Sequence, residues 1–409
     1  MTGPDHSPGT DPPRRGVARR AHVWVVVFVV AATAAPASAA ADLTIYSSLP
    51  LHGGQRPQTM GVVAGAKRAL ADAGGIAGGM TVRYVSLDDS TAAVGTWSAD
   101  VVAGNARLAA RDPSAIAYLG EFNSGASAIS IPILNAAGIM QISPSNTAIG
   151  LTRGGPGAEP GTPARYYPTG RRTFARLVPS DVVQARAGAR LLDILGKRRV
   201  LVVEDGEIYG HGLAARAAAS LRKRGIKVIG MRRLGRRNAG AIARAARQAD
   251  ALYFGGITSN GAPALWRALA GRPDLVKVGG DGIAEPGFFD PAEGGVSSRV
   301  ARKTYITIAT LDRSAYPARG QAIMRALHTT DAYALYGYEA MALALDAINR
   351  GGPTRAGALD GLFATRDRDS VIGRYSIDAS GDTTATRFGV YRIARRDLRL
   401  DRVVDAGPG

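Results

Sequence analysis

The sequence predicts an α/β fold of two doubly wound parallel-sheet lobes arranged in series. Three observations carry this. Short apolar runs alternate with helix-period segments from about residue 43 to 147, and the same alternation restarts near residue 185. Between the two runs, residues 152–172 (TRGGPGAEPGTPARYYPTGRR) hold five Gly and four Pro with no apolar periodicity, which reads as a long loop and, in the plainest view, a surface excursion. The composition, 46% hydrophobic and 21% charged over 409 residues, suits two domains with cores of their own.

In the first run, strands are expected at 43–47, 81–87, 115–119 and 138–142, and helices at 62–73, 97–110 and 127–137. Gly74-Gly75 supplies a natural stop for the first helix. In the second, helices at 185–195, 213–224, 241–249 and 262–270 alternate with strands at 200–204, 226–230, 251–254 and 276–279. The remainder predicts a strand at 304–309, helices at 319–326 and 332–349, and a closing hairpin of 375–377 and 388–393 around a turn containing Gly381. Two such lobes leave a cleft where strand ends converge, and ligands of open α/β sheets bind at those ends.

The N-terminus reads as a secretory signal, residues 1–39. Arg14, Arg15, Arg19 and Arg20 precede an apolar run at 23–32, and Ala37-Ser38-Ala39 offers a small-x-small cleavage site. The run is short for a bilayer span of about 20 residues, so an uncleaved anchor is the competing reading. The Arg14-Arg15 pair is only weak support for a twin-arginine signal. Cleavage near Ala39 implies an extracytoplasmic protein that meets the membrane through a partner. The chain has no Cys, so it has neither disulfides nor a thiol for a lipid anchor.

The formal charge is +18, and only six of the 51 basic residues are Lys. Clusters at 197–199, 222–224 and 232–233 flank predicted helices and strands and are not interleaved with aromatics. A nucleic-acid platform needs that interleaving, so nucleic acid is not an expected partner. Residues 210–215 spell G-x-G-x-x-A, but five residues separate them from the preceding strand, whereas a dinucleotide site begins at the strand end. The five His (6, 22, 52, 211, 328) lack metal-ligand spacing, and no G-x-S-x-G or phosphate-binding loop occurs. No cofactor, metal or catalytic constellation is expected, and the chain does not read as an enzyme.

Segments 70–90 (LADAGGIAGGMTVRYVSLDDS), 117–147 (AYLGEFNSGASAISIPILNAAGIMQISPSNT), 200–214 (VLVVEDGEIYGHGLA), 252–261, 276–282 (VKVGGDG) and 370–393 stand in one order. Together they resemble type I periplasmic binding proteins of the leucine/isoleucine/valine-binding family. The resemblance implies two lobes joined by three crossovers, near 174–177, 306–311 and 366–374. Lobe one would be 42–174 with 308–366, and lobe two 175–307 with 367–405. It also implies an extracytoplasmic solute-binding protein that delivers a small polar ligand, an amino acid or a relative of one, to an ABC transporter permease. A sensing module of the same fold, working with a separate signalling partner, is the alternative.

A zwitterion needs hydroxyl and N–H donors for its carboxylate and an acid for its ammonium. Asn123, Ser124 and Gly125 stand between a strand and a helix, where Ser124 could donate to a ligand or simply cap the helix. Residues 143–147 follow the next strand, and capping again competes with binding there. The resemblance assigns ligand contacts to Thr147, with Ser145 and Asn146 beside it, to Tyr209 as an aromatic closing over the ligand, and to Asp281 as the ammonium anchor. An Asp flanked by Gly is otherwise a turn former. A second cleft aromatic of the family falls at Ile257 or Thr258, a departure from the pattern. His52, Gln55 and Gln58 lie in the first loop, which lines the pocket mouth in the family.

Overall fold

The apolar runs become strands because branched and aromatic side chains pack well when both faces of a parallel sheet are covered. The computed structural model describes Met1, residues 42–395 and residues 397–407. Apart from Met1, the predicted secretory segment lies outside the described residues. No helix among the described residues is long and apolar enough to cross a membrane.

The first half runs β1 (Leu43–Leu49), α1 (Arg56–Asp72), β2 (Ile76–Ala77), β3 (Met80–Asp88), α2 (Ala99–Arg111), β4 (Ala115–Gly120), α3 (Ser124–Ala136), β5 (Met140–Ser143) and β6 (Phe174–Arg176). It forms a six-stranded sheet ordered β2-β3-β1-β4-β5-β6, parallel except for the short β2. Central β1 and β4 are buried at every position.

The chain continues through α4 (Asp181–Ile194), β7 (Arg199–Glu204), α5 (Ile208–Lys223), β8 (Lys227–Arg233), α6 (Ala239–Ala245), β9 (Ala251–Gly255), α7 (Ala262–Ala268), β10 (Val276–Gly279), α8 (Pro286–Phe289) and β11 (Thr304–Ile308). Three helices follow, α9 (Ala318–Ala326), α10 (Tyr333–Gly351) and α11 (Arg355–Phe363). A small ribbon, β12 (Arg368–Ser370) with β13 (Gly373–Tyr375), precedes β14 (Arg387–Ala394) and β15 (Asp397–Asp405). The second sheet is ordered β15-β14-β11-β10-β9-β7-β8, parallel from β8 to β11 and antiparallel at β14 and β15. The chain therefore enters the second sheet after β6, leaves it after β11, and returns after α11.

Helix α10 reaches back to lie along α1, and two glycines permit the approach. A Cβ on Gly65 would sit 1.9 Å from the Ala334 carbonyl oxygen, and one on Gly337 would sit 2.1 Å from that of Val62. Backbone-to-backbone contact of this kind is open only to glycine.

Several elements differ from expectation for identifiable reasons. Helices α3 and α5 start earlier than predicted, at Ser124 and Ile208, because tertiary packing overrides the weak propensity of their Gly- and Ser-rich first turns. The expected closing hairpin does not form. Tyr375 pairs backwards with Arg368, and β14 pairs with β11 and β15. Strand β15 (DLRLDRVVD) was hidden by charge, which is common on a sheet edge. Helix α11 lies outside the predicted elements although Thr354 caps it, its hydroxyl accepting from the Gly357 N–H. The long loop is no surface excursion. Tyr166 and Tyr167 are buried against Ile131, Ala148, Leu151 and Phe174, and Tyr167 Oη donates to the Leu151 carbonyl at 2.6 Å.

Arg176, at the end of β6, is fully buried. Its Nε donates to Asp382 Oδ1 at 2.8 Å, its Nη1 to the carbonyls of Asn146 (3.3 Å) and Ala148 (2.9 Å), and its Nη2 to Thr152. Burial alone would raise the Asp382 carboxyl; Arg176, Arg153 and Thr152 outweigh it and hold the group below the usual carboxylate value. Arg176→Met should cost about 3–5 kcal/mol, since Asp382 loses its buried partner, read as a lower urea midpoint. Because the folded value lies below the unfolded one, this stability is present at neutral pH and is lost as pH falls through the lowered value. Asp382→Asn should flatten that acid limb in thermal melts across pH.

Candidate functional site

Both walls of the site begin where a parallel strand ends and a helix starts. On the first wall, β4 stops at Gly120 and α3 starts at Ser124 with Asn123 in extended conformation at its cap. Neither residue caps the helix through its side chain. Ser124 Oγ instead accepts from the Ala148 N–H at 3.3 Å, which leaves its proton for another acceptor. Ser145 Oγ donates to the Phe122 carbonyl at 2.8 Å, and Thr147 is buried beside it. The open N–H groups of a 13-residue helix, with hydroxyls at its mouth, make this wall a set of donors suited to an anion.

The second wall is acidic. Asp281 follows β10, and two donors converge on its Oδ1: Tyr209 Oη at 2.6 Å and Gln184 Nε2 at 3.0 Å. Burial raises the Asp281 carboxyl, and these two bonds partly offset the rise. Glu207, the cap of α5, is also raised, by burial and then by Asp205, with Asn260 opposing. Glu285, just before α8, is pushed up to about 7 by burial, with the Thr258 hydroxyl opposing.

These walls enclose one pocket with about 520 Å³ of empty space including its mouth. Of the residues expected at the site, Asn123, Ser124, Ser145, Thr147, Tyr209, Asp281, Gln55, Gln58 and Ile257 line it. Three others do not. Asn146 sits behind the wall, its Nδ2 donating to the carbonyls of Glu121 (3.1 Å) and Phe122 (2.8 Å), so it splices two loops. His52 points outward and pairs with Asp88 at 2.6 Å. Thr258 donates to the Gly282 carbonyl at 3.3 Å. Tyr209 is an orienting hydroxyl for Asp281 as well as an aromatic wall.

Sequence reasoning missed Trp97, Phe122, Glu207, Glu285 and Tyr333, all of which line the pocket. Phe122 and Tyr333 meet edge to face at 5.1 Å, and with Trp97 they supply the aromatic surface absent at Ile257 and Thr258. Glu207 and Glu285 had one available signal, their position immediately before a helix. The walls touch directly. Gln58 Nε2 donates to the Ala284 carbonyl at 3.0 Å, and a Cβ on Gly125 would lie 2.7 Å from Trp97 Cζ2 and 3.0 Å from Glu207 Oε2.

The chain matches the model of the periplasmic binding protein family over residues 44–397. It is 27% identical to a Leu/Ile/Val-binding protein homologue of Brucella melitensis, over 88% of this chain and 94% of that protein. Among solved structures it is similar to a leucine-binding protein of Thermotoga maritima, with a TM-score of 0.74 and 22% identity over 89% of this chain and 99% of that one. It is also similar to an ABC transporter solute-binding protein of R. palustris solved with 4-hydroxybenzoate, with a TM-score of 0.72 and 13% identity over 90% and 98% of the two chains. At these identities the two structures establish the fold.

Gly125→Val should weaken solute capture by about tenfold or more, because the added carbons strike groups already in contact. The unliganded thermal midpoint should also fall, because Trp97 must shift to admit the new Cβ. Calorimetric titration with a panel of amino acids checks the first effect and a thermal melt the second.

Proposed function

The chain belongs to the periplasmic binding protein family, and from that premise we propose that it captures an amino-acid-like solute outside the cytoplasm for the permease of an ABC importer. The observation behind this is the facing of a donor wall and an acidic wall across one pocket. An α-carboxylate fits the start of α3, where Ser124, Thr147 and free N–H groups meet. An ammonium fits Asp281, whose carboxylate is already oriented by Tyr209 and Gln184. That the Brucella and Thermotoga relatives are named for leucine-type ligands supports the amino-acid class. The positive, apolar and small-x-small pattern at the N-terminus supports export.

Capture proceeds by approach of the two sheets' lobes, residues 42–174 with 308–366 and 175–307 with 367–405, about the three connections between them. Closure removes water from both walls, which strengthens each charge-assisted bond made to the solute. The fold supplies the binding energy through groups that are already oriented, so little ordering is lost when the solute arrives.

A thermal-shift screen of the purified chain against the common amino acids should show at least one that raises the melting temperature. If none does, the amino-acid reading is wrong. Asp281→Ala should lose about 2 kcal/mol or more of affinity for that amino acid, as expected when one partner of a buried charged pair is removed. Calorimetry showing no change would take Asp281 out of the site. Tyr209→Phe should lose about 1 kcal/mol, the worth of one orienting hydrogen bond.

A further inference from the structure

A single ammonium group answers only part of the negative charge in this cleft. Three carboxylates line it, Glu207, Asp281 and Glu285, and no Arg, Lys or His does. None of the three takes part in an ion pair among the described residues. Asp281 is committed to one direction by Tyr209 and Gln184. Glu285 stands elsewhere, beside the first loop, where a Cβ on Gly54 would be 3.2 Å from its Oε1. It is 6% exposed. Glu207 comes from the cap of α5, with Asn260 Nδ2 donating to its Oε1 at 3.3 Å.

Two neutral acceptors add to this demand. Gln55 Oε1 and Asn123 Oδ1 are buried at the pocket with no hydrogen-bond partner. A buried acceptor without a donor is costly, and a buried carboxylate without a cation more so. An aliphatic side chain supplies neither donor nor charge. A side-chain ammonium or guanidinium supplies both, and the aromatic faces of Trp97, Phe122 and Tyr333 suit the methylene stem that carries it.

Building on the amino-acid reading above, we propose that the cleft selects an amino acid whose side chain bears a second positive charge, held by Glu285. The burial that raises the Glu285 carboxyl to about 7 agrees with this, since a cation beside it would restore its charged form.

The test compares L-lysine with L-norleucine, which has the same chain without the side-chain ammonium, by calorimetric titration of the purified chain. Lysine should bind about tenfold tighter or better, the order expected from one charge-assisted contact. Glu285→Gln should bring the lysine-to-norleucine ratio towards one, and Glu285→Asp should keep part of it. If norleucine binds as tightly as lysine, the charge selectivity is overturned while the amino-acid reading stands. If lysine wins but Glu285→Gln leaves the ratio intact, the assignment to Glu285 is overturned. If neither compound binds and no other amino acid raises the melting temperature, both the reading and the inference fall.

Discussion

The structure depends on one buried guanidinium. Arg176 ends the last strand of the first sheet, yet its donors reach three other segments. They hold the cleft loop through the Asn146 and Ala148 carbonyls, the long Gly/Pro-rich loop through Thr152, and the segment leading into β14 through Asp382. The Arg176 N–H also donates to the Gly381 carbonyl at 2.9 Å. A fully buried charge of this kind is tolerable only when its donors are used and a counter-ion is close. That requirement fixes where the cleft loop can sit relative to the two connections that run past it. Ser145 and Thr147 are presented to the pocket because the loop backbone behind them is held by Arg176 and Asn146.

From this anchored junction the two walls acquire opposite chemistry for a common topological reason. Parallel strands all deliver their C-terminal ends to the cleft, and helices begin there. The start of α3 presents free N–H groups, and the wall around it carries small hydroxyl residues that do not fill the space, with the Ser124 proton uncommitted. On the other side, Glu207 and Glu285 stand directly before α5 and α8 and Asp281 two residues after β10, so the same kind of position delivers acids instead. Gly125 lets the two chemistries meet at van der Waals distance. Donors facing acceptors across a narrow gap will hold a small molecule that carries both kinds of group and will leave unpaired groups with one that carries only one kind.

Much of the framework was legible in the sequence because it rests on local signals. The apolar runs that became β1, β4, β7 and β9 are buried throughout or nearly so, and a buried parallel strand is marked by its run of apolar residues. Asp281 and Ser124 could be singled out only through the family pattern, since turn and cap roles explain each of them locally. The structure removed the cap role for Ser124, whose hydroxyl turns to Ala148. Trp97 and Tyr333 left no local trace, because what makes them pocket residues is convergence of segments more than 220 positions apart, as also brings Gln58 to Ala284, 226 positions away. Strand β15 failed for the opposite reason. Its apolar residues, Leu398, Leu400, Val403 and Val404, do not alternate regularly, and charged residues on an exposed edge fill the positions between.

Charge is distributed in this chain against its overall composition. It carries 51 Lys and Arg against 33 Asp and Glu, yet the pocket lining has three acids and no base. Arg176 is buried near the cleft loop, but its donors are consumed by Asp382, Thr152 and backbone carbonyls, so it does not act as the missing counter-ion. Other acids are buried close by, each wholly enclosed by protein. Burial, then Asp281, pushes Asp181 up to about 8; burial, then Glu121, raises Asp89, and burial raises Glu121 to about 7 with Asp89 opposing. Protonation relieves groups that are sealed in protein. Asp281 and Glu285 differ because they face a space that a ligand can enter, and a cation arriving there can do what a proton does elsewhere. A basic exterior slows the approach of such a ligand by repulsion, which salt screens beyond about 8–10 Å, whereas the cleft acids act at contact distance and are screened far less. The arrangement therefore places selectivity in the final bound state and not in long-range attraction.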